Sequence, residues 1–156
     1  MKIYLIAIGS KMPSWVTEGF TEYQKRLPES FALELVELPM EKRSQGTSVD
    51  KLKQKEGELI LKALPKRCLV IALDEHGREY TSVDLASELE KWASMGSDVA
   101  LIVGGPDGLS DAVKQRADRL WSLSKLTLPH PLVRVVLAET IYRAYSIAQH
   151  LPYHRA

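Results

Sequence analysis

A chain of 156 residues with 45% hydrophobic and 26% charged residues has the size and makeup of one folded domain, burying about 70% of the surface its unfolded chain exposes; a largely disordered chain is excluded. Twenty-one Lys and Arg against twenty Asp and Glu leave a net charge of +1, so no overall field draws it to nucleic acid or anionic membrane, and any such binding rests on local patches. The single Cys68 excludes an internal disulfide and fits a reducing compartment, and no apolar stretch approaches a membrane span, so the expected location is cytoplasmic.

Ile3 to Ile8 is a nearly continuous β-prone run, expected of a strand buried on both faces. Gly9-Ser10-Lys11-Met12-Pro13 breaks it where a secretory signal would continue apolar. Ser14 is placed to cap a helix whose apolar positions Val16, Phe20, Tyr23 and Leu27 keep helical spacing until Pro28. Phe31 to Leu38 reads as a second strand with a more polar face, nearer an edge, and Pro39 to Ser48 as a mobile polar loop. Asp50 to Leu64 is a charged helix packing through Leu52, Leu59, Ile60, Ala63 and Leu64, closed by Pro65. Cys68 to Leu73 is the clearest central strand, and Asp74 to Arg78 after it is a polar loop of the kind that carries ligand contacts. Thr81 and Asp84 predict a capping box for a helix running through Trp92 and Met95 to Gly96. Val99 to Val103 is another buried strand, Ser110 to Ala117 a short helix, and Leu120 to Leu123 a brief apolar segment. From Leu132 a long helix repeats Val133, Val136, Leu137, Thr140, Ile141, Ala144, Ile147 and Ala148 at three- and four-residue spacing until Leu151-Pro152 stops it. Val135 and Ala138 widen that apolar surface, which calls for burial by the core and by a partner.

Five strands alternating with five helices, without repeats or linkers, predict a single α/β domain over residues 1–156: a mostly parallel five-stranded sheet covered by helices on both faces. Ligands of such sheets sit beyond the strand C-termini, where Leu73, Gly104 and Leu123 all fall. Gly104-Gly105-Pro106-Asp107-Gly108 is neither a dinucleotide fingerprint nor a phosphate loop. It reads either as a plain tight turn or as a place where a ligand approaches the backbone. In Pro129-His130-Pro131 the prolines disfavour α conformation at Leu128 and His130, so the segment before the last helix is expected to be extended and stiff. Such a backbone-rich wall suits a flat heterocycle such as adenine, with His130 either a ligand contact or a locally bonded loop histidine. Pro152 separates His150 from His154 and the cysteine is remote, so no metal site is expected. No feature links Ser110, Ser122, Ser124 or Thr127 to a base and an orienting acid, as nucleophilic hydrolysis requires. Residues 40–67 hold eight Lys or Arg against four acids, and residues 121–156 hold four against Glu139 alone, with three of the four histidines; each segment is either a solvated face or a local binding patch.

Four blocks carry a resemblance that spans the full chain: Gly104-Gly105-Pro106-Asp107-Gly108, the run from Leu123 to Arg134, Glu139-Thr140-Ile141-Tyr142-Arg143-Ala144, and Pro152-Tyr153-His154-Arg155. In this order they closely resemble the SPOUT-class methyltransferases, whose C-terminal half forms a trefoil knot. Within these they are similar to the small bacterial RlmH type, which methylates N3 of a pseudouridine in 23S rRNA. The resemblance implies a C-terminal trefoil knot, a rare exception to the rule against threaded chains, together with a homodimer and S-adenosylmethionine as methyl donor. By position it implies cofactor contacts at Leu73, Gly104, Leu123, Ser124, Lys125, Leu126, Thr127 and Leu128. His130, Glu139 and His154 are then candidates to accept the N3 proton, and Arg143, Tyr153 and Arg155 to position the base or its phosphates. Glu139 and Arg143 read equally as an i, i+4 helix pair, and Tyr153-His154-Arg155 as a frayed terminus or a tail reaching a partner's cofactor. A small, near-neutral chain has little surface for naked RNA, so the expected substrate is 23S rRNA within the assembled ribosome. Competing readings are a knotted methyltransferase for another rRNA or tRNA base, a non-catalytic ribosome assembly factor, and a flavodoxin-like nucleotide-binding domain.

Overall fold

The apolar runs form five parallel strands in the computed structural model, which describes residues 1–42 and 46–155. They are β1 (Lys2–Ile8), β2 (Ala32–Leu38), β3 (Cys68–Arg78), β4 (Asp98–Val103) and β5 (Arg119–Trp121), hydrogen-bonded in the order β2-β1-β4-β3-β5. The helices are α1 (Ser14–Gln24), α2 (Val49–Ala63), α3 (Ser82–Met95), α4 (Asp111–Arg116) and α5 (His130–Ala148). Side chains alternate across a strand, so Ile3, Leu5 and Ala7 join Phe20, Leu85, Leu89, Trp92, Leu137 and Ile141 in a core under α1, α3 and α5. On the other face Ile6, Ile8, Val70, Ala72, Ala100 and Ile102 meet Ile60, Leu109 and Val113 under α2 and α4. The polar strand β2 is an edge, as its sequence predicts.

Local signals set most boundaries. Thr81 and Asp84 exchange both hydrogen bonds of the capping box, and α3 ends at Gly96 in the left-handed region with φ of 71°. Ser48 accepts from Lys51 N at 3.2 Å to start α2, and Ser110 accepts from Val113 N at 3.3 Å to start α4.

Three expectations change. Ser14 is the first helical residue of α1, after Pro13, and makes no cap hydrogen bond. Phe31 ends a single 3-10 turn, Glu29–Phe31, so β2 begins one residue later. The polar loop expected at Pro39 to Ser48 includes 43–45, which lie outside the described residues. Asp74 to Arg78 is no terminal loop: Leu73 and Arg78 both pair with Trp121, so four residues are extruded and β3 then resumes beside β5. Gly77 makes the return possible, because a Cβ there would stand 2.6 Å from both the Leu120 carbonyl carbon and Trp121 N.

Candidate functional site

A cavity of about 740 Å³ opens at the C-terminal ends of β3, β4 and β5. Val103 ends β4 in it, and Leu73 is the last β3 residue before the extruded segment; the Gly104–Gly108 turn, the loop from Ser122 to Leu128, and His130 form its walls. All eight residues expected at a cofactor therefore line one space, and His130 with them. Gly104 has no room for a side chain: a Cβ would lie 2.8 Å from Leu109 Cδ2 and 3.1 Å from Gly108. The turn closes on itself where Gly108 N donates to Gly105 O at 3.0 Å. Such a wall presents peptide groups at close range to any flat ligand.

The loop opposite is shaped by its serines. Ser122 Oγ donates to Ser124 O at 3.0 Å, and Leu126 N donates to Ser124 Oγ at 3.0 Å. Ser110 caps α4, so three of the hydroxyls considered as nucleophiles have local structural work. Leu126, at the loop's tip, is 75% exposed, an apolar side chain held out over the cavity mouth.

The helix after this loop corrects a further expectation. His130 is the first residue of α5, not the middle of an extended hinge; Pro129 before it keeps extended angles, with ψ of 141°. Pro131 sits in the first turn, where the N–H it lacks would have had no helical acceptor, so the proline that was expected to delay the helix helps start it.

The remaining candidates gather elsewhere. Arg143 Nε donates to Glu139 Oε1 at 2.8 Å, and Tyr153 OH donates to the same oxygen at 2.9 Å. The Tyr153 ring packs edge-on to Tyr142 at 4.8 Å under the Arg143 guanidinium. The tail through Tyr153 thus folds back onto α5 and is not frayed. Burial, then the bond to Glu139, pushes the Tyr153 phenol up to about 12, so it stays a donor; Glu139 likewise raises Arg143 above the ordinary guanidinium value. Both His154 ring nitrogens are buried and make no hydrogen bond, and Arg155 is exposed. Glu139, Arg143, Tyr153, His154 and Arg155 do not line the cavity of their own chain.

Sequence reasoning missed Lys53 of α2 and Lys114 of α4, which reach the cavity rim from the far layer. Lys114 Nζ sits 3.5 Å from Asp74 Oδ1, tying the extruded β3 segment to α4. Lysines on charged helices carry no local mark of such a role. Among the described residues no helix is long and apolar enough to cross a membrane, and no group of three or more His, Cys, Asp or Glu could hold a metal.

Known proteins share this arrangement. The family model described as "Predicted SPOUT methyltransferase" matches residues 1–154. The protein named "Ribosomal RNA large subunit methyltransferase H" of Marinomonas sp. (strain MWYL1) is 54% identical over 155 residues, covering 99% of this chain and 100% of its own. Proteins of the same name from Hahella chejuensis and Thioalkalivibrio sulfidiphilus are 53% and 50% identical, each over 99% of both chains. Among solved structures, a methylase-family protein from Haemophilus influenzae Rd KW20 superposes with a TM-score of 0.57 at 13% identity, over 99% of this chain and 70% of the other. One from Neisseria gonorrhoeae gives 0.54 at 19% identity, over 99% and 88%. The two structures speak to fold alone; the family match and the half-identical relatives speak to descent. On these grounds, with its parallel sheet and strand-end cavity, the chain belongs to the SPOUT methyltransferase family.

Proposed function

We propose that this chain is a cytoplasmic S-adenosylmethionine-dependent methyltransferase, acting as a homodimer of single-domain, C-terminally knotted chains on N3 of a pseudouridine in 23S rRNA within the assembled ribosome. The observation that carries the reading is the cavity where Leu73, Gly104, the Leu123–Leu128 loop and His130 converge. The relatives named for methylation of large-subunit ribosomal RNA support the substrate class.

The cavity suits the cofactor in kind. Its Gly104 wall would be filled by any Cβ, and its two loops offer peptide groups to an adenine and apolar side chains to its faces. Bound S-adenosylmethionine supplies a sulfonium methyl group that needs no further activation. The chain's tasks are then positioning and removal of a weakly acidic proton. Leu126 and Leu128 would exclude water from a bound methyl donor, and His130, at the start of α5, lines the same cavity. The cluster of Glu139, Arg143 and Tyr153, with His154 and Arg155 beside it, bears on such a cavity when a second copy supplies it. Every residue of α5 is buried or half-buried even in one chain, and a partner on its remaining apolar surface would bring the tail across. In that composite site the Arg143 and Arg155 cations meet phosphate oxygens, the Tyr153 phenol donates to the base, and Glu139 or an unbonded His154 nitrogen takes the N3 proton.

Transfer of labelled methyl from S-adenosylmethionine to ribosomes lacking the modification tests the reading. Label mapped to the pseudouridine N3 supports it; label on another base supports a different acceptor, and none on any ribosomal or transfer RNA overturns enzymatic function. Equal transfer to isolated 23S rRNA would remove the requirement for the assembled ribosome.

A further inference from the structure

The start of α5 has no side-chain cap, Pro129 standing at that position, and the preceding loop is fixed locally by Ser122 and Ser124 alone among the side-chain bonds described. One turn into the helix, however, Arg134 is 1% exposed. Its Nη1 donates to Glu37 Oε2 on the edge strand β2 at 2.6 Å, and its Nη2 donates to the carbonyl of Gly9, just past β1, at 2.7 Å. Gly9 N in turn donates to Leu38 O at 2.7 Å. One guanidinium therefore ties the first turn of α5 to the ends of two strands.

The same glycine backs onto the site. A Cβ at Gly9 would lie 3.4 Å from Arg134 Nη2 and 3.7 Å from His130 Nε2, with Met12 Cε at 3.0 Å. His130 and Arg134, four residues apart on one helix face, flank a residue whose φ of 117° only glycine adopts easily. His130 Nε2 thus lies close to the glycine whose carbonyl Arg134 holds.

Stability alone does not call for this cation. Arg134 Nε is buried without a hydrogen bond, and a whole buried ion pair is often matched or bettered by apolar side chains of similar size, although removing one partner alone is costly. Fixed direction is what a methionine in its place would lack: a guanidinium aims two separate donors at two separate acceptors.

We infer that Arg134 is a positioning residue: through Gly9 and Glu37 it sets where α5 begins, and so where His130 and the Leu123–Leu128 wall stand in the cavity. The inference rests on the proposed methyltransferase function for its catalytic consequence, though not for its structural one. Arg134→Met and Arg134→Lys are compared with the natural protein by hydrogen exchange, thermal unfolding, S-adenosylmethionine binding and methyl transfer to unmodified ribosomes. In Arg134→Met, exchange should rise at least tenfold across residues 123–133 and stay unchanged in β1, β3 and α3. Its melting temperature should fall, because Glu37 and the Gly9 carbonyl both lose their donor, and cofactor Kd should be at least tenfold weaker and transfer at least tenfold slower per folded molecule. Arg134→Lys, which keeps one donor direction, should recover part of each loss. Unchanged exchange at 123–133, or losses that only track a lower melting temperature, overturn the inference. A natural protein that binds no S-adenosylmethionine overturns the proposed function instead, and leaves the exchange result to decide this inference.

Discussion

Tyr153 and Arg143 hold the same oxygen of Glu139, Tyr153 at 2.9 Å and Arg143 at 2.8 Å, although Tyr153 lies beyond the end of the helix that carries the other two. A chain terminus is thereby built into the flank of α5, on the surface where a second copy would complete a site. Deleting residues 153–156 should leave dimerisation and S-adenosylmethionine binding intact while abolishing methyl transfer to ribosomes. Undiminished turnover by the truncated protein would remove the tail from the reaction.

The Tyr153 phenol also sets a pH dependence. Its value in the folded chain is raised from 10.0 to about 12 by burial, then by the bond to Glu139. The resulting stabilisation is fully present below pH 10, the unfolded value, and is lost as pH climbs through that window toward 12. Thermal unfolding of Tyr153→Phe should thus fall below the natural protein at neutral pH, with the gap narrowing over this alkaline range. A gap that stays constant would place the phenol's contribution elsewhere than in its hydrogen bond.

Acid should act through Glu88. Burial alone would raise this carboxyl, but the hydrogen bond from Arg119 and the nearby charges of Arg119, Lys91 and Arg78 together bring it below its ordinary 4.5. Its contribution is present above pH 4.5 and is lost as pH falls through the lower folded value. Glu88→Gln should therefore cost stability at neutral pH and show a shallower loss than the natural protein on acidification, read from denaturant midpoints across the acid range.

Two glycines that meet backbone should respond differently to a methyl group. At Gly77 the obstruction is main chain at 2.6–2.7 Å on several sides, so Gly77→Ala must break the rejoining of β3 to β5. Urea unfolding should register a loss at or above the upper end of the roughly 1–3 kcal/mol typical of overpacking.

At Gly104 the nearest atom is the flexible end of Leu109, with Gly108 behind it at 3.1 Å. Gly104→Ala should cost about 1 kcal/mol of stability while weakening S-adenosylmethionine binding tenfold or more, as measured by calorimetry. Equal affinity in the two proteins would detach this turn from the cofactor.

What could be read from the residues follows the range of the forces involved. Ile3 to Ile8 and the Thr81 and Asp84 cap are decided by neighbours within a few positions, and both appear as expected. The pairing of Leu73 and Arg78 with one Trp121 is not: a strand that pauses for three polar residues and a glycine and then resumes looks, locally, like a strand that stops. Pro131 misled because its effect on His130 depends on whether His130 lies outside the helix or already within its first turn. The spacing of Glu139 and Arg143 announced their contact, whereas Tyr153 reaches them through a reversal at His150, which has φ of 58°, a conformation uncommon outside glycine. Lys53 and Lys114 were hidden for the opposite reason, since charged helices supply many lysines and only the packing of layers chooses two for the rim.

Arg134 meets Glu37 and Gly9 across separations of 97 and 125 residues. Contacts between such distant positions form only after a large loss of chain freedom, which favours their late arrival during folding. During synthesis the five strands and their nearer helices emerge before α5. The wall that runs into α5 therefore depends on contacts that are costly to close, and its completion is expected to follow that of the sheet.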